Sequence, residues 1–301
     1  MNIEFAKTIP MPEFLNKQGF SPVSTRGNQY KYLSPLRNEK TPSFFVNIEK
    51  NVWYDHGEGI GGDLIIYVCE YLKRYKEGHT VIDALRYIKN IGGYTYRFPK
   101  DIRANEEPTE AALKLKSAQR IKHAGLIEYL AGRGIPLYVA QQYLQQLFVF
   151  NKNTGKSFYT LGIQNEDKGY ELRNPYFKGT LGTKSYSFIR GLKPNSGAIT
   201  LFEGMMDYGA IIAQREGKPL DNDVIILHSL ACIQKATDEI IRNYGYENAY
   251  TWFDNDGAGR KASEAFAEFC KTEPGLKHQP MNQDYAPYKD VNAAHMAKLG
   301  L

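Results

Sequence analysis

Acidic residues occur in this chain at two places where they could hold a divalent cation. Glu203 follows the apolar run Ala198–Phe202, and Asp254 and Asp256 follow a second apolar run that ends at Phe253. Each run predicts a buried strand, and the helical pattern after each one predicts a parallel sheet. Because open α/β sheets bind ligands at the carboxyl ends of their strands, we expect these carboxylates to converge. Crowded carboxylate oxygens favour a hard cation such as Mg²⁺.

The spacing of the acidic residues is consistent with a metal site but does not require one. Asp207 lies four residues after Glu203, one helical turn on, so it can face the same pocket. Asp254 and Asp256 are two residues apart, which directs both side chains to one side of an extended segment. An isolated Asp-x-Asp sequence is more often an Asx turn or a helix cap. The Glu-Gly pair upstream favours the metal site.

Composition predicts a cytoplasmic globular protein of about two domains. The chain has 301 residues, 42% hydrophobic and 24% charged, with a net charge of +5 that is compatible with a polyanionic partner. Its three cysteines lie far apart, so neither a disulfide framework nor a metal knuckle is indicated. The N-terminus lacks a secretion signal, and no apolar run is long enough to span a bilayer. A membrane partner is therefore not expected.

Pattern changes along the chain predict its domains. Aromatic-rich alternating segments predict a small sheet before residue 93, with a hairpin around residues 48–52 and helices at 63–75 and 80–90. A charged, proline-containing stretch predicts a linker, or a linker that continues into a solvated helix. A hairpin turning near residue 154 follows, and then strands alternate with helices. The boundaries are a first domain at 1–96, a linker at 97–116, the first part of a core at 117–197 and a parallel-sheet domain at 198–301.

Motifs in the second half of the chain resemble the Toprim domain of bacterial-type DNA primases. The matching segments are EGMMD at 203–207, FDNDGAGRKA at 253–262, YLAGRGI at 129–135 and KDVN at 289–292. In the last motif, Asn292 replaces the second acid of the family's Lys-Asp-x-Asp. The resemblance extends from about residue 118 to the C-terminus. The fold it implies is α/β, a Toprim-type parallel sheet flanked by helices.

This resemblance implies the reaction and the residues that carry it. The reaction is RNA primer synthesis from ribonucleoside triphosphates on a single-stranded DNA template, with Mg²⁺ or Mn²⁺ as cofactor and a replicative helicase supplied in trans as a further partner. Glu203, Asp254 and Asp256 are the expected catalytic residues, and Asp207 and Asp290 complete the expected metal ligands. The expected nucleotide-binding and nucleic-acid-binding residues are basic: Arg173, Lys178, Lys184 and Arg190.

A second resemblance, to the primase zinc ribbon, covers residues 34–63 and lacks the metal ligands. SPLRNEKTPSF at 34–44 and DHGEGIGGD at 55–63 keep the scaffold residues of that family. The four ligand positions hold Ser34, Arg37, Asp55 and Glu58, which do not make a zinc site. The first domain is therefore expected to be a small α+β, zinc-ribbon-like domain without zinc. We expect Arg37 to pair with Asp55 or Glu58 and join the two loops, the alternative being independent surface charges.

Other functions use the same residues and stay open from the sequence. A Toprim nuclease needs the carboxylates but no nucleoside triphosphate. A DNA-binding accessory protein for replication or mobilisation needs only the basic residues. A topoisomerase needs a tyrosine nucleophile on a further large domain, which the length disfavours. The missing zinc ligands, together with the short C-terminus after Asp290, indicate a reduced primase of a plasmid or other mobile element.

Overall fold

The computed structural model describes residues 3–92, 96–102, 112–193, 196–273 and 275–301. The chain forms two compact units. The first unit comprises residues 1–97 and 269–274, and the second unit comprises 98–268 and 275–301. Together they give a mixed α/β architecture, as the sequence predicts.

The first unit contains an antiparallel sheet that packs against helices through an aromatic core. The sheet has the strand order β1-β2-β3-β4-β5. Phe44 stacks on Trp53 with ring centroids 5.1 Å apart, and both rings contact Tyr67 on α3. In chain order the elements are α1 (Ile3–Thr8), α2 (Met11–Lys17), β1 (Ser24–Arg26), β2 (Gln29–Tyr32), β3 (Phe44–Asn47), β4 (Val52–Asp55), β5 (Ile60–Gly62), α3 (Leu64–Arg74) and α4 (Val81–Gly92).

Local signals in the first unit act as the sequence predicts. Asp63 accepts a hydrogen bond from the Ile66 amide at 3.0 Å and begins α3. The Thr80 hydroxyl accepts from the Asp83 amide, and the Asp83 carboxylate accepts from the Thr80 amide, so the two residues form a capping box at α4. The predicted hairpin connects β3 to β4. The hairpin and the two helices predicted for this part of the chain are therefore confirmed.

The positions that replace the zinc ligands lie together around the Arg37 guanidinium. Arg37 Nη1 lies 2.6 Å from Asp55 Oδ2 and 3.9 Å from Glu58. The Ser34 hydroxyl donates to the same Asp55 oxygen at 2.6 Å. Arg37 Nη2 donates to Glu39 at 2.7 Å. We call Ser34, Arg37, Glu39 and Asp55 the arginine cluster.

The arginine cluster is tightly packed and does not suit zinc. A Cβ at Gly57 would lie 1.9 Å from Arg37 Nη2, so any larger residue there would displace the guanidinium from its present position. A structural zinc site needs thiolate or imidazole donors, and this cluster offers a cation, carboxylates and a hydroxyl. Glu58 turns instead to Arg74, at 2.7 Å. The guanidinium therefore contacts both of the loops that carry the four positions.

The second unit begins with an antiparallel sheet of strand order β10-β9-β8-β7-β6. Two short helices follow β6 and cover part of one face. The predicted hairpin around residue 154 is confirmed, with β7 and β8 as its strands. The elements are β6 (Leu113–Gln119), α5 (Ala124–Ala131), α6 (Leu137–Ala140), β7 (Gln145–Asn151), β8 (Lys156–Gln164), β9 (Tyr170–Asn174) and β10 (Phe177–Leu181).

The predicted linker at 97–116 needs a correction at its end. Much of it, residues 103–111, lies outside the described residues. Leu113–Lys116 are strand, the start of β6, rather than linker or solvated helix. Leu113 and Leu115 alternate with exposed lysines, which is a strand pattern that the charged residues before it obscured.

The Toprim-type sheet has the strand order β11-β13-β12-β14-β15. Strands β12, β13, β14 and β15 are parallel, and β11 is an antiparallel edge strand. The predicted strands at the two acidic motifs are confirmed to within one residue. The elements are β11 (Ser187–Ile189), β12 (Ala198–Phe202), α7 (Met205–Gln214), β13 (Asp223–Ile226), α8 (Ile233–Ala236), α9 (Arg242–Tyr244), β14 (Asn248–Trp252), α10 (Gly257–Thr272), β15 (Lys277–Pro280) and α11 (Val291–Leu299).

Helices of the described residues are too short or too polar to cross a membrane.

Candidate acidic active site

Glu203 and Asp254 lie side by side at the carboxyl edge of the Toprim-type sheet. Phe202 pairs with Trp252 in the parallel register, so β12 and β14 end at the same level. The Asp254 amide donates to Glu203 Oε2 at 3.1 Å. The two acidic motifs are 51 residues apart in sequence. The register of the two strands brings them together.

Asp207 and Asp290 approach the same place from two helices. Asp207 lies in the first turn of α7 and is buried. Its carboxylate accepts from the Asn292 amide at 3.1 Å, at the start of α11. Asp290 caps α11 by accepting from the Ala293 amide at 2.7 Å. We call Glu203, Asp207, Asp254 and Asp290 the acidic cluster.

Asp256 has a different position from Asp254. One of its oxygens accepts from the Ala258 and Gly259 amides at 3.0 Å each, which caps α10. Hydrogen bonds from these amides hold the pKa of Asp256 below its usual range. A Cβ at Gly259 would lie 2.0 Å from the Asp254 carbonyl oxygen, so the turn requires glycine at that position. One oxygen of Asp256 therefore acts as a helix cap, which is the alternative role expected for an Asp-x-Asp sequence.

Lys289 supplies a positive charge between the two aspartates. Its Nζ lies 3.2 Å from Asp254 Oδ2 and 3.5 Å from Asp256 Oδ2. The lysine side chain is 61% exposed, so it can move away without leaving a buried hole. The hydrogen bond that Lys289 donates to Asp254 raises the pKa of Lys289. Part of the negative charge of the site is therefore balanced from within the chain.

The remaining negative charge shows in the pKa values of the acidic cluster. Burial, with repulsion from Asp254, raises the pKa of Glu203 to about 7. Burial, with repulsion from Asp290, raises the pKa of Asp207 to about 8. Burial also raises the pKa of Asp254, despite its contact with Lys289. Such shifts are the expected consequence of placing carboxylates together out of water.

A cavity of about 160 Å³ opens above these residues. All four members of the acidic cluster line it, whereas Asp256 is absent from its walls. Within the described part of the chain, no group of His, Cys, Asp and Glu side chains is gathered tightly enough to form a ready metal-binding set. The acidic cluster lines the wall of this cavity.

Only two of the basic residues predicted from sequence line the cavity. Arg173 and Lys178 are cross-strand partners on β9 and β10, and both face the acidic cluster. Lys184 lies outside the lining, although its charge influences the pKa of Glu171 and His228. Arg190 lies near the start of β13, where its Nη1 is 2.8 Å from Asp223 Oδ2. Because that is the amino edge of the sheet, the placement counts against a role for Arg190 at this cavity.

The lining residues that were not predicted as site residues include Arg133, His228 and Lys289. Arg133 donates to Asn292 Oδ1 at 3.0 Å and is held at the start of α11. His228 is buried, and burial lowers its pKa to about 3. Lys289 stands in the KDVN motif, so the motif itself could have indicated it. Arg133 also stands in a quoted motif, but nothing in the sequence signals that His228 faces a cavity.

Family comparisons match separate segments of the chain. Residues 18–97 match the CHC2 zinc finger family, and residues 200–295 match the Toprim-like family. Residues 115–182 match a domain of unknown function. The zinc finger match covers the segment in which the arginine cluster takes the place of the ligands. The Toprim-like match covers the acidic cluster.

Individual relatives are DNA primases. The DNA primase of Legionella pneumophila is 29% identical over 156 residues, 45% of this chain and 25% of that protein. The DNA primase of Myxococcus xanthus is 33% identical over 98 residues, 33% of this chain and 14% of that protein. The chain thus spans a quarter or less of the length of these relatives. The resemblance to bacterial-type DNA primases is confirmed.

Solved structures that are similar include two primases. The zinc-binding and RNA polymerase domains of the Aquifex aeolicus primase give a TM-score of 0.43 at 16% identity, covering 99% of this chain and 82% of that one. The primase fragment of the bacteriophage T7 primase-helicase protein gives a TM-score of 0.43 at 20% identity, covering 61% of this chain and 77% of that one.

Proposed function

We propose that this chain is a primase-type nucleotidyltransferase that synthesises short RNA primers on single-stranded DNA with a divalent metal. The observation that carries the proposal is the acidic cluster at the carboxyl edge of a Toprim-type sheet, facing Arg173 and Lys178 across one cavity. Carboxylates next to cations are what a site needs to bind a metal and nucleotide phosphates together. The similarity to DNA primases supports the same reaction.

The donor chemistry of the acidic cluster fits Mg²⁺ or Mn²⁺. Both ions prefer carboxylate oxygens, and the raised pKa values of Glu203 and Asp207 reflect negative charge that a cation would relieve. Glu203, Asp254 and Asp290 would hold the ion, and Asp207 would add negative charge behind them. When bound, the ion would lower the charge on the reacting phosphate and help to ionise the attacking hydroxyl.

The chain's own side chains have distinct proposed roles. Glu203 would accept the proton of the primer 3′-hydroxyl, because its carboxylate lines the cavity next to Asp254. Arg173 and Lys178 would bind the phosphates of the incoming nucleotide. Arg133, held by Asn292, would approach them from the other side. Asp256 would act mainly through the α10 cap and Lys289.

Incorporation of labelled ribonucleotides on single-stranded DNA tests the proposal. Glu203→Gln should reduce incorporation by about 10²–10⁴-fold, because it removes a proton acceptor and a metal ligand. Glu264→Gln is the matched control, since Glu264 is exposed on α10, and should retain full incorporation. Wild-type protein that incorporates no ribonucleotide with Mg²⁺ or Mn²⁺ on any single-stranded template would contradict the proposal.

The same preparation separates the two other functions. A Toprim nuclease would degrade labelled DNA with metal alone, without ribonucleotides. An accessory DNA-binding protein would bind DNA with neither reaction, and Asp254→Ala would leave its biological role intact. We further propose a plasmid or mobile-element context from the replaced zinc ligands, and a helicase acting in trans. The genes that flank this one would test both assignments.

A further inference from the structure

Aromatic and basic side chains share one face of the β6–β10 sheet with Arg173 and Lys178 of the cavity wall. The register places Lys114 opposite Phe150, Phe148 opposite Tyr159, and Leu161 opposite Arg173. Residues directly opposite each other, and residues two apart on one strand, share a face of the sheet. The shared face therefore continues from β6 to the cavity wall. Leu161, which lies between Tyr159 and Arg173 on this face, is fully buried. We call the part before it the aromatic strip, which consists of the exposed Lys114, Lys116, His123 and Tyr159 and the half-buried Phe148 and Phe150.

Three rings of the aromatic strip contact one another with tilted planes, and two of them, His123 and Tyr159, are exposed. His123 lies 4.6 Å from Tyr159 between ring centroids, at 36° between their planes. Tyr159 lies 4.8 Å from Phe148 at 32°. Tyr159 is 37% exposed. Cross-strand pairing accounts for one of these contacts. It does not account for the contact of the exposed Tyr159 ring with a histidine outside the sheet.

The cations on this face keep positive charge available for a ligand. Lys116, at the bulge in β6, places its Nζ 5.2 Å from the centre of the Phe150 ring. Lys114 and Lys178 are exposed, and among the described residues neither forms an ion pair. Arg173 donates through Nε to the Tyr129 hydroxyl at 3.1 Å, which leaves its terminal nitrogens for another acceptor. The face thus offers positive charge and flat rings together.

We propose that the aromatic strip binds single-stranded nucleic acid, its bases stacking on Tyr159 and Phe148 and its phosphates contacting Lys114 and Lys116. Stacked aromatics beside cations are the features by which proteins bind single strands without reading sequence. A duplex would not fit, because its bases are paired and cannot reach the rings. The sheet face that carries the strip spans four strand spacings, roughly 19 Å, from Lys114 to Lys178. The inference rests on the proposed function, because it assigns the path by which a template strand reaches the acidic cluster.

Binding of a fluorescein-labelled single-stranded oligonucleotide of mixed sequence to the full chain tests this assignment. Tyr159→Leu should raise the Kd about tenfold, because it removes a stacking surface but keeps an apolar strand residue. Tyr159→Phe keeps the ring and should bind like the wild type. Tyr138→Ala, which removes a 55% exposed ring from α6, is the aromatic control and should also bind normally.

A charge series adds a second readout. Lys114→Glu with Lys116→Glu should weaken binding and reduce the slope of log Kd against log salt by about 0.7 for each phosphate that the variant no longer neutralises. Lys277→Glu is the charge control, because Lys277 lies at the start of β15, at the sheet edge opposite the cavity. Its salt slope should equal that of the wild type.

The outcomes separate the proposal that the aromatic strip binds single strands from the proposal that the chain synthesises primers. Glu203→Gln should bind the oligonucleotide normally while it loses incorporation. Folded Tyr159→Leu protein that binds like the wild type would overturn the strip, as would wild-type protein that prefers duplex or binds no oligonucleotide. Strip-dependent binding by a wild type that incorporates nothing would support the strip and contradict primer synthesis.

Discussion

Carboxylates gather in two regions of this molecule, and their charges are balanced in opposite ways. In the arginine cluster, Asp55 is fully buried and bonded to Arg37, and hydrogen bonds from Arg37 and Ser34 lower its pKa despite burial. In the acidic cluster, burial and mutual repulsion raise the pKa values of Glu203 and Asp207. Side chains of the protein itself balance the negative charge of the arginine cluster, whereas they leave part of the negative charge of the acidic cluster unbalanced. Charged residues with a structural role are paired within the protein, whereas those that bind a ligand retain unbalanced charge until the ligand binds.

Asp223 shows the same contrast within the second unit. It lies at the amino edge of the Toprim-type sheet and bonds to Arg190 and to the Tyr246 hydroxyl, at 2.8 and 2.6 Å. These bonds lower the pKa of Asp223 in spite of burial. At the carboxyl edge of the same sheet, the pKa values of Glu203 and Asp207 are raised instead. Function is therefore indicated at one edge only.

Removal of Arg37 should have the largest effect on stability. Arg37→Ala would leave the buried Asp55 carboxylate without its cation, and breaking such a pair costs about 3 kcal/mol. Hydrogen exchange of β3 and β4 amides would report this loss locally. Arg26→Ala, at an exposed position in β1, is the control and should leave the exchange unchanged. Unchanged exchange in Arg37→Ala would mean that the cluster is a set of independent surface charges.

Mg²⁺ should stabilise one region and leave the other unchanged. A ligand that binds only the folded state at a hundredfold excess over its Kd adds about 2.7 kcal/mol. Protection of α7 amides should therefore rise with Mg²⁺, and the rise should be smaller in Asp254→Asn. Protection of β3 should not respond to Mg²⁺ or to chelator. A chelator that unfolded the first unit would show that this unit binds metal after all.

The stability of the two regions should depend on pH in opposite directions. The pKa of Glu203 is raised from 4.5 to about 7, and that of Asp207 from 3.8 to about 8. Their stabilisation is thus complete below the unfolded values and is lost as the pH rises through about 7 to 8. The pKa values of Asp55 and Glu39 are lowered from 3.8 and 4.5. Their stabilisation is present above those values and is lost as the pH falls below them.

Hydrogen exchange of metal-free protein, corrected for the intrinsic rate at each pH, measures both trends. Between pH 4.5 and pH 8, α7 should lose protection while β3 should keep it. Glu203→Gln should reduce the loss in α7 and raise its stability by about 1 kcal/mol, because the amide carries no charge. Equal slopes in the two regions would remove the contrast between them.

Arg190 should have the smallest effect on catalysis. Arg190→Ala should leave ribonucleotide incorporation unchanged, because Arg190 is bonded to Asp223 at the amino edge of the sheet. It should lower stability by about 1 kcal/mol or less, because an ion pair whose arginine is 59% exposed is screened by solvent. Arg173→Ala is the comparison and should reduce incorporation. A large loss of incorporation in Arg190→Ala would restore its predicted role at the cavity.

Local patterns in the sequence determined much of the fold and the candidate site. The apolar run before Glu203 predicted β12 without error, and the helical pattern at 80–90 predicted α4. The strand-helix alternation predicted a parallel sheet, and a parallel sheet brings successive strand ends to one edge. This is why Glu203 and Asp254 could be expected together. Each of these inferences depends on residues that are near in sequence or on one rule of topology.

Tertiary structure alone decided which charges meet. Asp256 caps α10 and faces Lys289, whereas Asp254, two residues away, lines the cavity. Arg190 was expected beside Lys178 but lies at the opposite edge. These outcomes depend on strand register and on packing between segments far apart in sequence, and a sequence pattern does not encode those distances. Side-chain chemistry fixed what each residue can do, and the packing of the chain fixed which partner it does it with.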